Sequence, residues 1–363
     1  MFWSRYEILP REAPSKLALL AVPVGTILLA IISSVFLFTL LGKPPGLVLY
    51  SFFVEPFTST YNISELIIKA SPLILIAQGL AIGFRTRVWN IGAEGQLVIG
   101  AIFASLIPIT WNNADGIWVL PMMILAGALG GMFWAAIAAF FRVVFNASEI
   151  IVTLMLNQIA LQILLYLITG PLLDPRGFNF PQSVSFQDAA LYPNILAEAG
   201  VRANLSIVIT LFVSIAAWIF VTRSFSGFKM LVGGLSPNAA LYAGFSAKGA
   251  IWLSLIIGGA AAGLAGVGEV AGPIGRLQPI LSPGYGFAAI IVAFLGALNP
   301  IGIFFAGIFM AVVYVGADGA ILNAGVPASA PIVFQGFILI FYLACFAASN
   351  YRLRRKPVMI EAS

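Results

Sequence analysis

The sequence contains no histidine and only one cysteine. Without histidine, the chain lacks the side chain that serves most often as a general base and as a zinc ligand. The single cysteine, Cys345, lies in an apolar run, where we interpret it as a packed small hydrophobe that cannot form an internal disulfide. These shortages argue against a metal cluster, a His-based triad and a disulfide framework.

Charged residues are also scarce. They make up 9% of the 363 residues, whereas a soluble domain carries about 25%. The chain is 61% hydrophobic with a mean hydropathy of +1.04, which excludes a water-facing enzyme and a disordered chain. The strands of a porin-like barrel alternate apolar and polar residues, so this composition predicts an all-α polytopic membrane protein.

Ten apolar runs are candidates for transmembrane helices of about 20 residues each. With the N-terminus inside, 13 of the 18 Lys and Arg residues fall on the inner side, which predicts an N-in, C-in topology. The net charge of +5 is then explained by cytoplasmic loops rather than by nucleic-acid binding. The ten runs are 17–41, 63–84, 89–110, 117–141, 149–172, 204–222, 249–268, 285–299, 300–317 and 331–350.

We expect a single transmembrane domain over residues 1–363 with three hydrophilic segments. Residues 173–203 form the longest outer loop, which is either a small external helix or a plain connector. Residues 223–248 form the longest inner loop, and residues 351–363 form a basic cytoplasmic tail. Glycine pairs spaced four apart predict close helix packing, and they are Gly79/Gly83, Gly127/Gly131, Gly259/Gly263 and Gly268/Gly272.

Polar residues at membrane depth are costly and therefore informative. Asn90, Glu94 and Gln96 lie in the sequence WNIGAEGQ, where the flanking glycines predict a discontinuous helix near 90–96. We interpret this group either as part of the translocation pathway or its gate, or as an interfacial turn. In the second interpretation Glu94 pairs with Arg85 or Arg87.

Two further polar sites are candidates for the pathway. Asn157 and Gln158 are adjacent in the fifth run, and Gln162 shares a helix face with Gln158. These neutral amides are suited either to hydrogen-bond a polar, uncharged solute or to join helices. Glu269, near the outer end of the seventh run, either faces an external vestibule or marks the membrane boundary.

The third and eighth runs begin with similar sequences, IGAEGQLVIGAIFA and PGYGFAAIIVAFLGA. Because these runs have opposite directions in the predicted topology, the similarity is compatible with an inverted repeat, which places a solute site between the halves. Chance similarity between apolar sequences is the alternative explanation.

The inner loop carries signals for a short cytoplasmic helix. Serine followed by proline is a helix start, and glycine after the apolar residues is a stop. The segment is either a connector or an element contacted by a cytoplasmic partner. It consists of Ser236, Pro237, Asn238, Ala239, Ala240, Leu241, Tyr242, Ala243 and Gly244.

Together, five segments give the chain a family resemblance. NIGAEGQ, EIIVTLMLNQIA, GLSPNAALYAGFS, GLAGVGEVAG and SPGYGFAAIIVAFLGALNPIG resemble the permease subunits of bacterial ABC importers, in the ribose and branched-chain amino acid permease superfamily. The NIGAEGQ segment resembles the nucleoside and simple-sugar branch. The resemblance covers residues 60 to 345, except for 173–203.

The resemblance implies a multi-pass protein of the bacterial inner membrane that has no enzymatic activity of its own. It implies two cytosolic ATPase subunits that bind the ATP, a second permease chain that is often different, and an external solute-binding lipoprotein. Ser236 to Gly244 become the coupling helix that sits on an ATPase subunit. The sequence itself lacks a G-x-x-x-x-G-K-[ST] phosphate loop, and no other cofactor is expected.

The expected solute is small, polar and nucleoside-like, with a simple sugar as the alternative. A flat nucleobase stacks on aromatic rings, and the candidates for stacking are Phe84, Trp89, Tyr285 and Phe287. An ion-coupled secondary transporter with Glu94 or Glu269 as the titrating group is the second hypothesis. Membrane-depth carboxylates are few, and such a transporter needs no docking helix, so the sequence favours the ATP-driven importer.

Overall fold

The computed structural model describes residues 6–10, 16–111, 116–195 and 200–355. Within these ranges the chain is predominantly helical, with one short two-stranded antiparallel sheet. The elements are β1 (Tyr6–Pro10), α1 (Lys16–Leu40), α2 (Pro45–Phe53), α3 (Thr60–Arg85), α4 (Ala93–Thr110), α5 (Val119–Phe145), α6 (Glu149–Thr169), α7 (Ser206–Arg223), α8 (Phe225–Leu235), α9 (Pro237–Tyr242), α10 (Ala247–Glu269), α11 (Tyr285–Leu295), α12 (Pro300–Ala324), α13 (Ala330–Asn350) and β2 (Tyr351–Arg355).

Nine helices in the described part of the chain are long and apolar enough to cross a membrane. The prediction of an all-α polytopic membrane protein is therefore confirmed. The predicted run at 285–299 differs, because α11 has only 11 residues and spans about 16 Å, half of a hydrocarbon core of about 30 Å. The N-in, C-in topology and the inverted repeat stay predictions.

The chain divides into two compact units, and the first comprises residues 1–50 and 320–363. In it α1 packs against α13, and β1 pairs with β2 from Tyr6 opposite Arg355 to Pro10 opposite Tyr351. Cys345 is a free cysteine whose Sγ lies 3.5 Å from the position of a Cβ on Gly25. The predicted tail at 351–363 thus begins as a strand, and its residues 356–363 lie outside the described part.

The second unit, residues 51–319, is built around α10, which packs against α3, α4 and α5. Small residues allow these backbones to touch. A Cβ on Gly131 would lie 2.9 Å from the Cα of Gly263, and a Cβ on Gly79 would lie 2.8 Å from the Cβ of Ala261. Such distances leave no room for a larger side chain, so the predicted close packing is confirmed at these glycines.

In the described residues of the predicted outer loop, 173–195 and 200–203, one turn of 3₁₀ helix forms at Asp188–Ala190. Backbone hydrogen bonds fasten it to the segment after α10, where Ser183 donates to Leu277 O at 2.9 Å and Tyr192 to Ala271 O at 2.7 Å. Burial raises the pKa of the Tyr192 phenol. In residues 173–195 and 200–203, the loop is a fastened connector rather than a separate helical element.

Candidate functional site

Two helix starts meet inside the second unit, those of α4 and α11. The backbone N–H of Gly286 in α11 donates to Oε2 of Glu94 in α4 at 2.6 Å. A Cβ on Gly286 would lie 2.7 Å from the Cα of Glu94 and 2.9 Å from the carbonyl carbon of Ala93. Only glycine fits here, and the carboxylate stabilises a helix start whose first N–H groups have no partner within the helix.

The turn before α11 is held by a serine hydroxyl. Oγ of Ser282 accepts hydrogen bonds from the N–H groups of Gly284 at 3.1 Å and Tyr285 at 2.8 Å. Gly284 has a φ of 89°, a left-handed conformation that glycine adopts at little cost. The segment Ser282 to Tyr285 is thus the turn at which the irregular chain ends and α11 begins.

A pair of amides stabilises the chain before α4. Asn90 Nδ2 donates to Gln96 Oε1 at 2.9 Å, and Gln96 Nε2 donates to Asn90 Oδ1 at 3.1 Å. Asn90 Oδ1 also accepts from the N–H of Gly92 at 3.0 Å. Both side chains are buried, so this pair satisfies polar groups that would otherwise be costly.

Helix α6 completes the support of the same segment. Oδ1 of Asn157 accepts from the N–H of Gly95 at 2.7 Å, and its Nδ2 donates to Ile91 O at 2.9 Å. Oγ1 of Thr153 accepts from the N–H of Ile91 at 3.3 Å. The structure therefore joins Asn90, Gln96 and Asn157 in one hydrogen-bonded cluster at the start of α4.

The described residues contain no ion pair between Glu94 and Arg85 or Arg87. Arg85 donates instead to the carbonyl of Leu298, at 2.9 Å from Nη2. The interpretation of an interfacial Glu94 ion pair is thus wrong, because the carboxylate is buried against α11. A role for Glu94 in the gate stays a prediction.

The other polar candidates lie apart from this cluster. Gln158 and Gln162 are exposed on α6, whereas the neighbouring Asn157 is buried. Glu269 is buried at the end of α10, just before a π-helical turn at Val270–Ile274, and Lys69 is a nearby charge. Residues 157 and 158 are therefore adjacent in the sequence but differ in environment, since the first is buried and the second is exposed.

Only two of the four aromatic candidates contact each other. Phe84 and Trp89 have ring centroids 5.0 Å apart, and both stack on Phe294, a member that the sequence reasoning missed. Tyr285 is buried, and its ring lies edge-on to Tyr314 at 5.4 Å. Phe287 is 44% exposed.

The short helix of the inner loop forms where it is predicted. α9 begins at Pro237, and Gly244 follows it with a φ of 75°. Ser236 precedes the helix as predicted, although its hydroxyl makes no capping hydrogen bond. Leu241 is 75% exposed and Tyr242 is 97% exposed, which leaves two large side chains uncovered at the end of the helix.

The described residues contain no group of three His, Cys, Asp or Glu side chains that could hold a metal ion. A bundle of membrane-spanning helices, with two helix starts meeting in its interior and a short exposed helix at one loop, is the architecture of a multi-pass membrane permease. Residues 62–343 match the family described as the branched-chain amino acid transport system permease component, and the chain belongs to this family.

The chain is similar in sequence to several permease proteins. The chain is 33% identical to the glucose ABC transporter permease protein TsgB13 of Haloferax volcanii over 94% of this chain and 92% of that protein. It is 30% identical to the guanosine ABC transporter permease protein NupP of Bacillus subtilis over 82% of this chain and 84% of that protein. It is 29% identical to the nucleoside ABC transporter permease protein NupB of Lactococcus lactis, over 90% of each chain. No solved structure matches the chain.

The predicted resemblance is confirmed. The chain is a multi-pass inner-membrane subunit of an ABC importer, and permease subunits of this family are not themselves enzymes. The family implies ATP-binding subunits and a solute-binding protein as partners. Membership favours the ATP-driven importer over the ion-coupled transporter.

Proposed function

We propose that this chain passes a nucleoside-like solute across the membrane, with a simple sugar as the alternative. The relatives named above support both classes, because two are nucleoside or guanosine permeases and one is a glucose permease. The observation that carries the proposal is the family match over 62–343 together with the exposed helix α9.

The energy comes from ATP bound by separate cytosolic subunits. The sequence has no phosphate-binding loop of the G-x-x-x-x-G-K-[ST] type, which supports a separate ATPase. In this proposal Leu241 and Tyr242 of α9 contact the ATPase subunit, and closure of the ATPase pair around ATP moves the permease as a rigid body. A second, different permease chain and an external binding lipoprotein complete the importer.

Inside the membrane, the two opposed helix starts form the proposed gate region. Asn90, Gln96 and Asn157 hold the start of α4, and Glu94 joins it to the start of α11. A shift of one helix start must therefore move the other or break a hydrogen bond between them. This coupling supports a role for the region in alternating access, with Gln158 and Glu269 as further pathway candidates.

The test is purification of the tagged chain from membranes in mild detergent, followed by mass spectrometry and transport assays in liposomes. We expect an ATP-binding subunit and a second permease chain to co-purify. Addition of the binding protein and ATP should then drive uptake of radiolabelled guanosine, and competition with glucose separates the two solute classes. A chain that purifies alone and moves solute without ATP contradicts the proposal.

A further inference from the structure

Three polar side chains line the exposed face of α6. Gln158, Gln162 and Tyr166 are spaced four residues apart, so they share one face and extend over about 12 Å. Tyr166 is 70% exposed, and both glutamines are exposed. We call these three residues the α6 polar stripe.

The stripe lies within α6, a helix that is long and apolar enough to cross a membrane. Gln162 is seven residues before the last residue of α6, or about 10 Å along the axis, and Gln158 is about 16 Å from that end. A shallow groove of about 370 Å³ follows the stripe and is lined also by Ile159 and Ile163. The polar groups are thus not confined to the end of the helix, where headgroups and water would hydrate them.

None of the three side chains has a hydrogen-bond partner in the described part of the chain, in contrast to the buried Asn157 of the same helix. An unpaired amide facing hydrocarbon loses its hydrogen bonds with water, which is energetically unfavourable. Two such amides on one face are therefore unfavourable against lipid.

Another peripheral helix shows what a lipid-facing surface looks like in this protein. Between residues 208 and 219 of α7, every exposed side chain is apolar or aromatic, including Phe212 at 72% and Ile215 at 59% exposure. The same chain thus maintains an apolar outer face on α7 and a partly polar one on α6. This contrast indicates that the two helices face different surroundings.

We propose that the α6 polar stripe lines the water-filled passage and hydrogen-bonds a neutral solute during transport. Each amide offers both donors and an acceptor, which suits a solute rich in hydroxyl and amide groups, and the Tyr166 ring offers a stacking surface. The stripe itself carries no charge, so it favours an uncharged solute over an ion. This inference rests on the proposed function and identifies the surface that the solute touches.

The first test measures whether water reaches the stripe. In a Cys345→Ser background, Gln162→Cys and Phe212→Cys provide a matched pair, since each position is about 10 Å from one end of its helix. A membrane-impermeant charged maleimide is added to membranes containing the whole importer. Thiols react as thiolates, which need water, so we expect Gln162→Cys to label at least tenfold faster than Phe212→Cys.

Two results overturn the proposal at this stage. Equal, slow labelling of both cysteines means that α6 faces lipid. Slow labelling of Gln162→Cys combined with an efficient disulfide to a neighbouring permease chain means that the stripe is a dry helix contact. Both results leave the proposed importer function intact, because that function depends on ATPase co-purification and ATP-driven uptake.

The second test measures contact with the solute. Gln162→Leu preserves the approximate volume and removes the hydrogen-bonding groups, whereas Phe212→Leu is the control on the apolar face. We expect Gln162→Leu to raise the KM for guanosine uptake at least fivefold and Phe212→Leu to leave it unchanged. A water-accessible Gln162→Cys together with an unchanged KM for Gln162→Leu overturns the solute contact.

Discussion

Replacement of Gly286 by alanine tests whether the two helix starts must touch. The added Cβ would lie 2.7 Å from the Cα of Glu94 and 2.9 Å from the carbonyl carbon of Ala93. Both neighbours are backbone atoms, so no side-chain rotation relieves the overlap. Carbon atoms prefer a separation of about 3.5–4.0 Å, so the helix starts must separate by about 0.8 Å or more.

This separation affects packing and hydrogen bonding together. The bond from Gly286 N to Glu94 Oε2, now 2.6 Å, would lengthen past the usual upper limit of about 3.2 Å. Overpacking costs about 1–3 kcal/mol, and loss of a hydrogen bond to a charged group costs about 1.5–3 kcal/mol. We therefore expect Gly286→Ala to lower the free energy of unfolding by about 3–5 kcal/mol.

The assay is thermal unfolding of the purified chain in detergent, followed by fluorescence. A loss of this size corresponds to a decrease in Tm on the order of 10 °C. Gly336→Ala in α13 is the matched control, since a Cβ there meets nothing within 4 Å and alanine favours the helix. If the Tm of Gly286→Ala equals that of Gly336→Ala, the contact between the helix starts does not contribute to stability and the reasoning is refuted.

Three further substitutions test other parts of the mechanism. Glu94→Gln keeps an acceptor oxygen but removes the charge, so we expect slower uptake in liposomes and a smaller loss of stability than for Gly286→Ala. Wild-type uptake would argue against a role for Glu94 in a gate. Tyr242→Asp changes a side chain that is 97% exposed, so we expect normal folding but ATP hydrolysis that no longer drives uptake; unchanged transport would exclude α9 as the coupling helix. Asn157→Leu leaves the N–H of Gly95 and the carbonyl of Ile91 unpaired, so Tm should fall by several degrees, and an unchanged Tm would show that water replaces the amide.

Local signals in the sequence predict local structure here. Pro237 and Gly244 delimit α9 because proline suits the first helical turn and glycine adopts a positive φ at the end. The glycines around 90–96 predict a discontinuous helix, and that prediction is wrong, because α4 is continuous from Ala93 and the irregular residues 86–92 only link α3 to α4. Ser282 and Gly284 were available as a similar signal for the interruption before α11, but the apolar run that follows suggested a full span.

Contacts between distant segments could not be predicted in this way. Glu94 and Gly286 are 192 positions apart, and nothing in either local sequence specifies the other. The same limit applies to Phe294, whose ring joins Phe84 and Trp89 only because the fold brings α11 beside α3. Residue type identified the costly polar groups, but their partners depend on tertiary packing.

The glycine-lined contacts of α10 have a consequence for the order in which the protein is assembled. α3, α4 and α5 are synthesised before α10, yet each packs against it, through Gly79 against Ala261, Ala101 against Gly266 and Gly131 against Gly263. Membrane helices insert independently and associate afterwards. The surfaces of α3, α4 and α5 that contact α10 therefore remain uncovered until the ribosome has produced α10. A chain that stops before Ala247 lacks the helix around which the second unit is built, so we expect membrane proteases to remove it.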